Sequence, residues 1–428
     1  MGQERNVRVG IVKAKELGVV FHSAYLLNGK SVVGEHVFTL ADVGCEFVPV
    51  ASDASFTLKD VVIGIGFHWE RKEEQTFRGG LELIEEEGML RAVNVVPVET
   101  YLTSVISSEM SANASFELLK AHAVISRSWL LRIFQNNANR SIPNCQRRAK
   151  NSQLSNADAS QPSNAKDSQP SIANGELKVL NCQVSTDTII RWYDNEAHIG
   201  FDVCADDHCQ RYQGITRQSN PKVVEAIEAT RGQVLTYEGK ICDARFSKCC
   251  GGMTEVFESC WEDVPHPYLV AKSDPYCNTR DRRILSQVLN NYDQETKDFY
   301  RWTVTYTTAE LSALIYKKSG IDFGQIFDLV PMERGASDRI IRLKVVGEKR
   351  TLVMGKELEI RKWLSESHLY SSAFDVEKTA DGFILHGKGW GHGVGLCQIG
   401  AAVMGEQSIP YTEILSFYYP HTELTVLW

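Results

Sequence analysis

The chain has 428 residues, enough for two or three compact cores. With 46 basic and 54 acidic residues the net charge is −8, and 43% of residues are hydrophobic. This is ordinary globular composition, and it argues against nucleic acid or an anionic membrane surface as the main partner. Eleven cysteines, an odd number, cannot all pair within one chain. They favour a reducing setting or metal binding over a disulfide framework. The longest apolar runs fall far short of a membrane span. The opening stretch MGQERNVRVGIVKAKELG carries no signal-peptide apolar core. The sequence therefore reads as a soluble chain, working inside the cell or trimmed of a leader.

Residues 7–98 read as β-rich. The runs VRVGIV, VVFHSAYLL, HVFTL, VVIGIGFHW and LRAVNVVPV are separated by Gly, Asp, Asn and Lys clusters. Residues 111–134, SANASFELLKAHAVISRSWLLRIF, then change to helical spacing with Ser115 as N-cap. Ala121, Val124 and Leu131 are expected to face inward. Lys120 and Arg127, two turns apart, share another face. Glu109 is placed in the turn before this helix. It reads either as a candidate general acid or as a solvated glutamate at a helix start.

The stretch from Gln135 to about Glu176 is rich in Ser, Asn, Gln, Ala and Pro, with the imperfect repeat SNADASQPSNAKDSQPS. Such a segment cannot bury enough apolar area to offset its ordering entropy, so a disordered insert is expected. Residues 178–277 read as strands and turns carrying most of the cysteines. Residues 300–375 alternate strand and helix: WTVTYT, AELSALIYKKSG, RIIRLKVVG, GKELEIRKWLSE. The remainder is a strand, a glycine-rich loop and helical turns. The fold class expected is α+β, with a β-rich region at 1–90 and a mixed domain at 91–428. That domain holds the insert at 135–177 and an α/β subregion at 295–380.

HIGFDVCADDHC places His198, Cys204, His208 and Cys209 within twelve residues. Two imidazoles and two thiols match the donor set of a structural zinc, provided the chain turns at Asp206 and Asp207. Unrelated histidines and buried thiols are the other reading. Cys242, Cys249, Cys250, Cys260 and Cys277 read as reduced core thiols rather than a second site. GKGWGHGVG has alternating glycines from 387 to 395, which do not fit a dinucleotide loop. Trp390 and His392 between them suit stacking on a sugar and hydrogen bonding to it, or a packed turn. A Cys397–His392 nucleophile pair lacks an orienting third residue.

VVPVETYLTSVISSEM, LLKAHAVISRSWLL, DVCADDHCQRYQG, ARFSKCCGGMTE and GKGWGHGVGLCQIGAAVMG follow one another in this order. Together they closely resemble the SpoIID/LytB family over about residues 90–428. The resemblance implies peptidoglycan glycan strands as substrate, and lytic transglycosylase chemistry on strands stripped of stem peptides. The alternative it implies is non-catalytic enhancement of a cell-wall amidase. It carries the catalytic glutamate to Glu109 and the zinc site to His198, Cys204, His208 and Cys209. Tyr101, Lys120, Arg127, Trp390, His392 and Gln398 become substrate-positioning candidates. The family also implies the cell envelope as the place of action.

Overall fold

The computed structural model describes residues 2–63, 71–111, 114–140, 181–193, 198–206, 209–216, 221–288 and 299–428. Among them the chain is α+β. Eight strands open it: β1 (Asn6–Ala14), β2 (Glu16–Leu27), β3 (Lys30–Thr39), β4 (Glu46–Pro49), β5 (Ser55–Ile63), β6 (Arg71–Arg78), β7 (Gly80–Glu86) and β8 (Met89–Pro97). They form a nine-stranded sheet, ordered β1, β8, β7, β4, β2, β5, β6, with β3 beside β2. The ninth strand is the short Val203–Cys204, parallel to β1 at its outer edge.

Local chemistry sets the turns. Leu27 pairs with Lys30 across Asn28 and Gly29, both at positive φ (51° and 79°). That is the two-residue turn whose twist suits a hairpin, and Asn-Gly is the pair that best tolerates it. Alternation along β1 and β8 turns Val7, Val9, Leu90, Ala92 and Val96 inward. The segment after Ile63 in VVIGIGFHW lies outside the described residues.

Helices follow. The first, α1 (Val98–Glu109), ends on Glu109, which was expected in a turn. Its Val98, Leu102, Val105 and Ile106 recur at helical spacing, and all are fully buried. Next is α2 (Phe116–Arg140), which runs six residues into the stretch assigned to the insert. The hydroxyl of Ser115 accepts from Leu118 N at 3.3 Å, as the N-cap reading requires. Ala121, Val124 and Leu131 are buried. The rest of the insert lies outside the described residues. A further helix, α3 (Pro221–Ala229), stands where only strands and turns were expected.

One hydrophobic core joins the large sheet to α1, α2, α3, the cysteine-bearing segments, α4 (Arg282–Val288) and the C-terminal helices. A second core forms around Trp302, Leu343, Met354, Trp363 and Leu385. It lies between α5 (Thr308–Ser319), α6 (Glu357–Trp363) and strands at Arg301–Thr307, Ile326–Arg334, Ile340–Gly347, Thr351–Gly355, Phe374–Lys378 and Gly382–Lys388. The chain closes with α7 (Gln398–Glu406) and α8 (Tyr411–Tyr418). No helix of the described residues is long and apolar enough to cross a membrane.

Candidate functional site

Glu109 is the last residue of α1 and is half-buried. Its Oε1 accepts from the backbone N–H of Arg211 at 3.3 Å. Arg211 stands two residues beyond Cys209, so the cysteine loop delivers the amide that holds this carboxylate. The loop is itself anchored. Val203 and Cys204 pair with Val9 and Gly10 of β1. A Cβ on Gly10 would lie 2.6 Å from the Phe201 ring and would push it aside. That ring in turn stacks on His198 at 4.5 Å.

The ligand atoms of His198, Cys204 and Cys209 lie within 4.8 Å of one another. His198 Nε2 is 3.3 Å from Cys209 Sγ. Nitrogen and sulfur on one tetrahedral zinc stand about 3.5 Å apart, from bond lengths near 2.0 and 2.3 Å. The three residues therefore fit a zinc ion. Two cysteines this close ionise together only with a cation between them. The fourth candidate ligand, His208, lies outside the described residues.

The remaining candidates separate into interior and rim. Tyr101 is fully buried, stacks on Tyr212 at 5.1 Å and donates to Gln210 Oε1 at 3.3 Å. Burial pushes its phenol well above the usual range, with Cys209, Cys204, Tyr212 and Glu109 as charged or ionisable neighbours. Gln398 is also buried, and its amide nitrogen lies 3.1 Å from His122 Nε2. Since that nitrogen can only donate, Nδ1–H of His122 faces Ser126 Oγ at 3.1 Å. Gln210 returns to Ser126 O at 3.4 Å. Gln398, His122, Ser126, Gln210 and Tyr101 thus form a buried polar chain from the glycine-loop segment to α1. His122 was not among the sequence candidates. Burial, then the Lys248 charge, push its pKa down to about 3.

Arg127 is fully buried too. Its Nη2 lies 2.5 Å from Glu99 Oε2 and its Nε 3.1 Å from Oε1, and Nη1 donates to Gln233 O at 2.9 Å. It therefore faces the core rather than a surface. Lys120, partly buried, pairs with Glu117 at 2.5 Å and lies 4.7 Å from the Tyr411 ring centroid. The shared face of Lys120 and Arg127 is thus occupied by protein.

The glycine loop is also packed against protein. Arg339, buried and not predicted, donates from Nη2 and Nε to Gly391 O at 2.9 and 3.1 Å. A Cβ on Gly393 (φ 77°) would meet that guanidinium at 2.4 Å. The close approach that alternating glycines permit is made, at this position, to an arginine of the same chain. Trp390 is half-buried between Phe299 and Tyr370, each 4.8 Å away. His392 Nδ1 accepts from Val394 N at 3.0 Å, and its ring meets Trp261 edge-on at 4.9 Å. Burial, then nearby arginines, hold His392 well below its usual pKa, as a neutral imidazole.

Comparison with known proteins follows the same division. The family described as Stage II sporulation protein matches residues 86–181 and 179–237, which carry Glu109 and the cysteine loop. A Domain of unknown function (DUF8618) matches residues 255–395, which carry Arg339, Trp390 and His392. Stage II sporulation protein D of Bacillus subtilis is 23% identical over 338 residues, covering 78% of this chain and 76% of its own. The Bacillus subtilis amidase enhancer is 29% identical over 246 residues, half of this chain and 34% of its own length. An uncharacterized protein of Brachyspira hyodysenteriae is 26% identical over 343 residues, 80% of this chain and 70% of its own. The sporulation-protein match over the carboxylate and cysteine loop, with relatives of both named kinds, supports a SpoIID/LytB family assignment.

Proposed function

We propose that the protein is a peptidoglycan lytic transglycosylase in which Glu109 is both general acid and general base. The observation that carries this reading is the position of Glu109: a half-exposed carboxylate at a helix end, gripped by the Arg211 amide beside the cysteine loop.

A glycosidase ordinarily needs two carboxylates. Here the substrate supplies its own nucleophile. Glu109 gives its proton to the bridging oxygen as the C1–O bond of N-acetylmuramic acid breaks. The C6 hydroxyl of the same sugar bonds to C1, and its proton passes to Glu109. The products are a free N-acetylglucosamine end and a 1,6-anhydro end. No water is consumed, and the carboxyl is restored.

His198, Cys204 and Cys209, with His208, would hold a structural zinc. Bound there, the ion crosslinks the loop that carries Arg211. Trp390 and His392 are proposed to border the glycan. Tyr101, Arg127 and Gln398 act from the interior as positioning residues, and Lys120 steadies the start of α2.

The likeness to an amidase enhancer favours a second reading, in which the chain binds glycan and stimulates a cell-wall amidase without cleaving. Incubation with peptide-stripped glycan strands, followed by mass spectrometry, separates the two. Anhydro-ended fragments are expected. Intact strands, together with stimulation of an added amidase, would establish the enhancer instead.

A further inference from the structure

We propose that Cys250, Cys277 and Cys397, with Asp274, form a second and separate metal centre that holds a zinc-class divalent ion. Their ligand atoms all lie within 4.8 Å of one another. All four residues are at least 98% buried.

The spacing suits ligation better than the alternatives. Cys250 and Cys277 sulfurs are 3.5 Å apart. A disulfide would require about 2.05 Å. Two thiolates on one tetrahedral zinc, each near 2.3 Å from it, stand about 3.8 Å apart. Asp274 Oδ2 is 3.2 Å from Cys250 Sγ, close to what an oxygen and a sulfur on the same ion would show.

The surroundings are those of ligands already aimed. Asp274 Oδ1 accepts from the backbone N–H of Tyr276 at 2.9 Å and of Cys277 at 3.3 Å, and Tyr418 donates to Oδ2 at 3.0 Å. Such outer contacts fix a carboxylate's direction. Cys397 Sγ receives the amides of Cys250 and Gly400 at 3.3 and 3.4 Å, contacts that fix the direction of its sulfur. Nothing among the four ligands supplies positive charge. Three sulfurs and a carboxylate facing one another in an apolar core cost free energy unless a cation or protons neutralise them.

Four protein ligands and no exposure describe a closed, structural site. It ties three segments: the Phe246–Ser247 strand running on to Cys250, the turn at 274–277, and the Leu396–Cys397 strand at the start of α7. The two strands pair in parallel, Ser247 against Cys397. The ion would therefore clamp the end of the glycine loop. It shares no ligand with the cysteine loop at 198–209, so it stands or falls apart from the proposed catalysis.

The test is metal content of the full chain, purified under reducing conditions without chelator. The Cys204→Ser/Cys209→Ser chain should keep one ion, and Cys277→Ser added to it should remove that ion. A folded Cys204→Ser/Cys209→Ser chain with no metal overturns the proposal. So does recovery of Cys250 joined to Cys277 as a disulfide from protein prepared the same way. If that variant does not fold, wild-type crystals measured at the zinc absorption edge decide. An anomalous peak between Cys250, Cys277 and Cys397 supports the centre, and its absence overturns it.

Discussion

Arg127 was expected among the substrate-positioning residues, and its buried contact with Glu99 has a measurable size. Its guanidinium is fully buried against Glu99, which also receives Gly232 N at 3.0 Å and Trp428 Nε1 at 3.1 Å. Arg127→Met keeps most of the volume and deletes the charge. Glu99 is then left as a buried carboxylate with two of its four donors gone. Breaking one partner of a buried pair costs about 3–5 kcal/mol. Because Gly232 and Trp428 remain, the lower end, about 3 kcal/mol, is expected. Urea denaturation followed by tryptophan fluorescence should show this loss, while the folded variant still pellets with glycan. Glu99→Gln combined with Arg127→Met should recover most of it, since no charge is then stranded. A variant with wild-type stability and lost glycan binding would refute the reasoning and return Arg127 to the substrate.

His122 gives a pH dependence: unfolded it takes a proton near pH 6.5, folded only near 3, so stability must fall as pH drops below 6.5. At pH 5 the loss from this residue is about 2 kcal/mol, read as a lower denaturation midpoint than at pH 7, and His122→Gln should flatten that slope. Cys204→Ser is expected to release the ion of the 198–209 loop by elemental analysis and to slow glycan turnover, because the Arg211 amide loses its anchor. Gly393→Ala should cost at least about 1–3 kcal/mol by chemical denaturation, since it adds strain at positive φ to a clash with Arg339.

Short apolar runs broken by Gly, Asp, Asn and Lys clusters made the N-terminal strands readable, and Ser115 marked the start of α2. The start of α1 was missed because VETYLTSVISSE is rich in β-branched residues and serine, weak helix formers, although its apolar spacing is helical. The alanine and paired valines of α3 carried the same overlooked period. Glu109 and the 198–209 cluster were legible because each is a local motif. The partners that decide the other candidates are not local. Glu99 lies 28 positions from Arg127, and Gln398 lies 276 from His122. Arg339 reaches 52 positions to the glycine loop. The buried thiols read as separate because Cys277 and Cys397 lie 27 and 147 positions from Cys250, with no chelate spacing to betray them.

The measurement that bears most directly on the central claim compares wild type with Glu109→Gln on peptide-stripped glycan strands, scoring anhydro-ended products by mass spectrometry. The amide keeps the shape and the Arg211 contact but has no proton to donate to the bridging oxygen. Wild type should release anhydro-ended fragments. Glu109→Gln should release none while keeping the wild-type denaturation midpoint, metal content and glycan binding. Undiminished release by Glu109→Gln would contradict the account and remove Glu109 from the chemistry.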